Sequence, residues 1–282
     1  MPRWTPEDIP WDSFDKTKLE PETLRLVKAA ALTEYNAGSY TRYLRNVFSD
    51  DPDFCAQVGE WQLEEQQHGR VLASYAALAD PAFDFAEIFH RFSEGYAIPV
   101  EARASVRGSR VGELLSRCIV ETATSTYYTA LADGTEEPLL QAICRRIAAD
   151  EIHHFRMFLD RLRAYQPVEK IRLPERLKVV IGRIRETDDD ELAFAYHCAN
   201  EPGLDYDRAR ANQAYAKRAF RFYRQRHART IVRLVLKASG LPTHGWLLSV
   251  LAGWAWRKIR ARARIAGRSA QILARPLDKA AV

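Results

Sequence analysis

Residues 61–69 read WQLEEQQHG, and residues 147–154 read IAADEIHH. The first stretch belongs to a longer pattern in which members recur at alternating steps of three and four, as on one face of a helix. The stripe comprises Phe54, Val58, Trp61, Glu65, His68, Leu72 and Tyr75. A face with so many large apolar side chains is expected to point into a core, yet a glutamate and a histidine lie in its middle.

The second stretch repeats this arrangement. Its stripe comprises Leu140, Cys144, Ile147, Glu151, His154, Phe158 and Leu162. Two further stripes carry one central glutamate each, Glu34 in the first and Glu121 in the other. Glu34 precedes Glu65 by 31 residues, and Glu121 precedes Glu151 by 30. The chain therefore reads as two helix pairs with the same order of polar residues, and antiparallel packing would bring these residues to one level.

Four carboxylates buried together repel one another and would mostly have to be protonated. Two divalent cations remove this difficulty, because four negative charges then meet four positive ones and neutral imidazoles complete the ligand set. Carboxylate oxygen and imidazole nitrogen suit iron or manganese, whereas a lone zinc ion does not need six ligands. One glutamate from each of two helices and Glu-x-x-His from two others is a di-metal bundle arrangement. The predicted ligands are Glu34, Glu65, His68, Glu121, Glu151 and His154.

The alternative is that these are ordinary charged residues on helix surfaces, and for one isolated Glu-x-x-His that would be the better interpretation. The duplicated motif at matched spacing favours the metal site. The acids just before each motif can hold the histidine of the facing helix in one tautomer. We therefore predict Asp150 against His68 and Glu64 against His154, with solvated helix charges as the alternative. His153 lies off the stripe and is not a predicted ligand.

Composition and punctuation predict an all-α protein. The 282 residues include 13 glycines and 13 prolines, and no stretch alternates like a strand. We predict helices over about 21–48, 52–79, 83–93, 107–132, 136–165, 174–186, 188–199, 204–239 and 243–270. Asp51 and Thr135 are the predicted caps of the helices at 52–79 and 136–165. Residues 1–166 are predicted to form a ferritin-like four-helix bundle with an N-terminal arm, and residues 167–282 a helical extension packed on it.

The net charge of +5 is unevenly distributed. Residues 201–282 contain 18 Lys and Arg against 4 Asp and Glu, a net +14, and the first 200 residues contain 24 against 33, a net −9. The basic end predicts an acidic partner, either a carrier protein or an anionic membrane surface. Nucleic-acid binding is not predicted, because no nucleic-acid motif accompanies the charge.

Residues 246–264 combine a short tryptophan-rich apolar run with a basic cluster. The run is too short to span a bilayer, so it either packs on the bundle or a second subunit, or lies at a membrane surface. The four cysteines form no C-x-x-C pair, and the N-terminus has no signal-peptide pattern. These features predict a cytoplasmic protein, with peripheral membrane contact as an open alternative.

Several of these residues match motifs of a known family. Residues 61–69 resemble the W-x-x-E-E-x-x-H-G motif of the soluble acyl-[acyl-carrier-protein] desaturases, and residues 147–154 resemble their second motif, A-D-E-x-x-H. Glu121-Thr-Ala-Thr124 is similar to their E-x-x-T, and Leu32-Thr33-Glu34 to their first ligand segment. The resemblance covers about residues 25–160, and residues beyond 165 match nothing in the family.

The resemblance implies a di-iron oxidoreductase that introduces a double bond into a fatty acyl thioester. It implies two iron ions per chain, O2 as co-substrate, a ferredoxin-type electron donor, an acyl carrier protein as substrate carrier, and a homodimer. Manganese in place of iron is an open alternative. The resemblance places Thr124 beside the oxygen-binding face of the irons. It places Trp61, together with Asp150 and His68, on the side where electrons arrive. The alternative for Trp61 is a plain core aromatic. A related hydroxylase, or a non-catalytic ferritin-like iron-binding protein, is the alternative function.

Overall fold

The computed structural model describes residues 3–186 and 190–273, with side chains described as far as residue 263. Every regular element among these residues is helical, which confirms the predicted all-α class. Three short 3-10 turns in the arm precede eleven α-helices: α1 Pro21–Tyr35, α2 Ala37–Val47, α3 Pro52–Ala79, α4 Phe85–Gly95, α5 Arg110–Gly134, α6 Pro138–Tyr165, α7 Leu173–Arg185, α8 Asp190–Asn200, α9 Arg208–Phe220, α10 Gln225–Ala238 and α11 Gly245–Leu273.

The four helices that carry Glu34, Glu65, Glu121 and Glu151 pack on one another. α1 lies against α3, α5 lies against α6, and α3 contacts α6. Their apolar stripes form two buried clusters. Along α3, Val58 belongs to one cluster and Leu72 to the other, and along α6, Phe158 and Ile147 are divided in the same way. The polar residues in the middle of each stripe therefore lie where the two apolar clusters meet.

Side-chain caps determine where the long helices begin. Asp51 accepts a hydrogen bond from the backbone N–H of Phe54 at 3.0 Å and so caps α3, as predicted. Ser109 caps α5 in the same way. The predicted cap Thr135 is wrong for α6, which begins two residues later because Glu137 is its cap and Pro138 occupies the first helical position.

Two helices predicted to be continuous are interrupted. The predicted helix 21–48 breaks at Asn36, whose side-chain amide donates to Glu191 of α8 at 2.9 Å. Asparagine has a low helix propensity because its side chain competes for local hydrogen bonds. The predicted helix 204–239 breaks after Phe220, where Phe222 and Tyr223 both turn into the core. A new N-terminus then forms at Arg224, whose backbone N–H donates to His227.

The helices after residue 166 pack on the first part of the chain. α8 lies along α1, α10 lies along α5, and α7 also contacts α5. The division of the chain into a bundle and an extension at residue 166 remains a prediction. A search of the described residues for a membrane-crossing helix finds none.

Glu137 ties the start of α6 to the N-terminal arm. Its carboxylate accepts hydrogen bonds from the backbone N–H groups of Asp15, Leu139 and Leu140 and from the hydroxyl of Tyr75, at 2.7 to 3.2 Å. The side chain is completely buried. Four donors on one carboxylate give a buried charge the partners that it needs.

We predict that Glu137→Ala lowers the free energy of unfolding by about 3 kcal/mol, because it leaves buried donors unpaired and removes a helix cap. Chemical denaturation followed by circular dichroism measures the loss. Glu136→Ala is the matched control, since the neighbouring glutamate is exposed and its replacement should change stability little. Equal stability of the two variants would refute the role of Glu137.

Candidate metal centre

The structure brings all six predicted ligands together. Five of them lie near the middle of their helices, whereas Glu34 lies one residue before the end of α1. None of the six is more than 8% exposed. They form two groups, in each of which one ligand atom per residue lies within 4.8 Å of the others. The first group is Glu34, Glu65, His68 and Glu151, and the second is Glu65, Glu121, Glu151 and His154. Glu65 and Glu151 belong to both groups, so the two groups that could each hold a metal ion share two carboxylates.

Carboxylates outside the cluster orient the two imidazoles. Asp150 lies 3.0 Å from Nε2 of His68, and Glu64 lies 2.7 Å from Nε2 of His154, which are the two predicted pairings. A carboxylate can only accept, so Nε2 carries a hydrogen in each ring, and Nδ1 is the ring atom that can offer a lone pair to a cation once it is deprotonated. In both histidines it is Nδ1 that faces the glutamates, at 3.3 Å from Glu151 for His68 and 3.1 Å from Glu65 for His154.

Several buried atoms of the cluster have no hydrogen-bond partner among the described residues. They are Nδ1 of His68, Nδ1 of His154, Oε1 of Glu121 and Oε1 of Glu151. Buried polar atoms are rarely left unpaired, because each costs free energy comparable to a lost hydrogen bond. Four unpaired acceptors in one buried cluster fit cations that bind oxygen and nitrogen, and iron or manganese suits this donor set.

The electrostatics of the chain without a cation support the same interpretation. Burial and the neighbouring Glu65 raise the pKa of Glu34 to about 7. Burial, Glu151 and Glu65 raise the pKa of Glu121 well above its usual range. Burial opposes charge on His68, but its contacts with Asp150 and the glutamates outweigh burial and raise the pKa of this imidazole well above its usual value. Protons thus supply the missing positive charge, and a bound cation has to displace them.

The outer carboxylates remain ionised. Burial alone would raise the pKa values of Asp150 and Glu64, but the hydrogen bonds from His68 and His154 outweigh burial and lower both. Both acids can therefore act as acceptors for the ring N–H groups. The same balance holds within the cluster at Glu65, where contacts with the two histidines outweigh burial and the nearby Glu151, and lower the pKa.

A glycine next to a predicted ligand sets the spacing of two helices. A Cβ atom at Gly69 would lie 2.7 Å from the backbone N and the Cβ of Tyr35, a separation that real structures do not tolerate. α3 and α1 therefore approach each other closely at the level of His68 and Glu34, the residues adjacent to Gly69 and Tyr35 in the chain. This contact gives the glycine in the WQLEEQQHG motif a packing role.

Thr124 lies beside one of the shared carboxylates. Its hydroxyl donates to Oε2 of Glu151 at 2.5 Å and also lies within hydrogen-bond distance of the backbone carbonyls of Val120 and Glu121. The side chain is half-buried. The threonine singled out by the E-x-x-T resemblance is thus in direct contact with the cluster, and its hydroxyl can orient Glu151.

Two residues in contact with the centre are missing from the predicted set. Tyr128, which lies two helix turns after Glu121 on the same face of α5, donates its hydroxyl to Oε1 of Glu34 at 2.7 Å. Trp4, in the irregular arm, donates its indole N–H to Asp150 at 2.6 Å and stacks on the ring of His68. Arg3 also pairs with Asp150. Tyr128 lies one helix turn after Thr124, and this spacing could have predicted that Tyr128 faces the cluster. No local sequence pattern predicts the contact of Trp4 with Asp150.

Trp61 is not placed as the resemblance implies. Its ring meets His154 edge-on at a centroid distance of 6.4 Å and packs against Phe158, so it lies beside the other histidine. The indole that bonds Asp150 beside His68 is that of Trp4. The reason is that Trp61 lies one turn before Glu65 on α3 and so faces the second apolar cluster, whereas the arm covers Asp150.

Comparison with known proteins adds no assignment, because no protein-family model and no curated protein matches the chain significantly.

We predict that Glu121→Ala reduces bound iron to well below two ions per chain while leaving helicity largely intact, because one cation group loses a ligand. Metal analysis by mass spectrometry and circular dichroism measure both. Glu113→Ala is the matched control, since Glu113 is equally buried on the same helix but belongs to neither group. Unchanged iron in Glu121→Ala would remove this residue from the site.

Proposed function

We propose that the chain is a ferritin-like di-iron oxidoreductase that uses O2 to introduce a double bond into a fatty acyl thioester. The observation that carries the proposal is the convergence of six buried carboxylate and imidazole side chains into two groups that share Glu65 and Glu151. The four long helices that contribute them would form the four-helix bundle. The six ligands of this cluster all lie in the segments that resemble the desaturase motifs.

The proposed ligands divide between two cations. Glu34 and His68 would bind one ion, Glu121 and His154 the other, and Glu65 and Glu151 both. Two bound ferrous ions would supply electrons for the reduction of O2. Manganese has the same preference for these donors and is the alternative metal.

The remaining side chains have roles that follow from their contacts. Asp150 and Glu64 hold the Nε2 hydrogens of the imidazoles, so that both Nδ1 lone pairs stay directed at the cluster. The hydroxyl of Thr124 orients Glu151 by donating to one of its oxygens. The apolar clusters on either side exclude water, which protects a strong oxidant from side reactions.

The proposed partners are an acyl carrier protein or another acyl thioester as substrate carrier, a ferredoxin-type electron donor and a second subunit. The reaction takes two hydrogens from the acyl chain, two electrons from the donor and two protons from solvent, and reduces O2 to two molecules of water. Trp4, Asp150 and His68 form a hydrogen-bonded and stacked series from the arm to the cluster, and we propose this series as the route of the donor's electrons.

The second candidate is a related hydroxylase or a ferritin-like protein that binds and oxidises iron without an organic substrate. Its support is that the six ligands alone would allow iron oxidation, whereas desaturation also requires an acyl chain beside the cluster.

Product analysis separates the candidates. Iron-loaded protein is reduced, mixed with O2 and supplied with carrier-bound acyl chains of medium and long length, and the lipids are analysed by mass spectrometry. A new double bond supports desaturation, and an added oxygen supports hydroxylation. Iron oxidation without an organic product contradicts both of these reactions and supports the ferritin-like iron-binding protein.

We predict that Thr124→Val keeps both irons but slows O2-dependent turnover by roughly tenfold or more, because Glu151 loses the hydroxyl that orients it. Iron content and single-turnover kinetics measure the two effects. Thr126→Val is the matched control, since this buried threonine on the same helix donates only to the backbone carbonyl of Thr122. Full activity of Thr124→Val would withdraw the proposed role.

A further inference from the structure

Helix α11 has one side packed on the protein. Leu248 and Ala252 are buried against α10, and the half-buried Trp256 and Ile259 pack against the large apolar cluster. α11 contacts both α9 and α10 along this side. The packed side is therefore already covered by the protein, and only the opposite side of α11 is available for a partner.

The opposite side exposes large apolar residues. Trp246 is 77% exposed, Val250 57% and Trp254 52%. They are four residues apart and so lie along one face, which we name the tryptophan face (Trp246, Val250 and Trp254). Two tryptophans left this exposed on one helix face form an apolar patch of the kind that marks an interaction surface.

The next turns of α11 carry positive charge. Arg257, Lys258 and Arg260 are all exposed, and the ammonium of Lys258 lies 5.6 Å from the ring centre of Trp254. No acidic residue occurs between Gly245 and Leu273, and residues 201–282 have a net charge of +14. Arg264, part of the basic cluster predicted from the sequence, has its side chain outside the described residues. The exposed side thus has an aromatic half and a cationic half along a single helix.

We infer that the tryptophan face and the adjacent cations of α11 dock on the surface of a membrane that contains anionic lipid. In this arrangement the helix lies in the plane of the surface, its indole rings enter the boundary between headgroups and acyl chains, and its cations contact lipid phosphates. Tryptophan suits this boundary because its ring is apolar while its N–H needs a polar partner.

Two other occupants explain the observations less well. A second copy of the chain packed antiparallel through this face would bury the tryptophans, but its α11 offers no acidic residue to pair with Arg257 and Lys258. An acidic carrier protein would pair with the cations but would leave Trp246, a helix turn or more away from them, without an apolar surface to meet. Anionic lipid provides both the charge and the apolar layer.

The inference does not depend on the metal centre, because α11 contributes none of the six ligands. Its test uses the full-length chain and vesicles of neutral phosphatidylcholine with or without phosphatidylglycerol, in a co-sedimentation assay. Binding is expected only to vesicles with phosphatidylglycerol and should weaken as salt is raised, because salt screens the lipid charge. Absence of binding to anionic vesicles at low salt would overturn the proposal.

Two double variants separate the apolar and the charged contributions. Trp246→Ser with Trp254→Ser should weaken vesicle binding by roughly 30-fold or more, since both rings leave the boundary layer. Leu63→Ser with Leu78→Ser is the control, because these leucines of α3 are 53% and 45% exposed elsewhere on the surface.

Arg257→Gln with Lys258→Gln should weaken binding by roughly 30-fold. The control is Arg145→Gln with Arg156→Gln, which removes two exposed charges from α6.

Depth of insertion gives an independent readout. Brominated lipid should quench the fluorescence of the bound protein, and Trp246→Phe with Trp254→Phe should keep most of the binding but lose most of the quenching. Binding that ignores the tryptophan replacements would be electrostatic adsorption alone and would overturn the proposal. A dimer detected by light scattering without vesicles, and abolished by the same replacements, would assign the face to a second copy instead.

Discussion

Negative charge held inside an apolar core is the constraint on which the rest of the structure depends. Glu34, Glu65, Glu121 and Glu151 lie where two clusters of aliphatic and aromatic side chains meet, and each is at most 8% exposed. The long helices position these residues, and the outer acids direct an imidazole lone pair inward from each side. Positive charge has to come from protons or from metal ions, and the unpaired acceptor atoms favour metal ions.

The part of the centre that could be predicted from the sequence is the part carried by helical periodicity. A polar residue in the middle of an apolar stripe is visible because a helix repeats every three to four residues. The pairings of Asp150 with His68 and Glu64 with His154 could be predicted for the same reason. Each acid lies one position before a ligand glutamate, and from there its side chain can reach the histidine of the facing helix. The start of α3 was also predictable, because Asp51 and Pro52 form a local signal.

Features that depend on distant parts of the chain were not predictable. Trp4 bonds Asp150 across a separation of 146 residues, and Glu137 receives a hydrogen bond from Asp15 across 122. The break at Asn36 involves Glu191, and the break before α10 follows from two aromatic residues that turn into the core. None of these contacts leaves a periodic trace, so the local pattern suggested longer helices, and the family resemblance grouped a different tryptophan with Asp150.

Each of the two imidazoles has its own indole neighbour. The ring of Trp4 is stacked on His68 at a centroid distance of 5.9 Å, and that of Trp61 meets His154 edge-on at 6.4 Å. The protein therefore contains a pair of native optical reporters, one for each half of the centre. A paramagnetic ion bound near either ring would quench the fluorescence of the adjacent indole. Measuring the quenching in variants that lack one of the two tryptophans would show which ligand group binds a metal ion first.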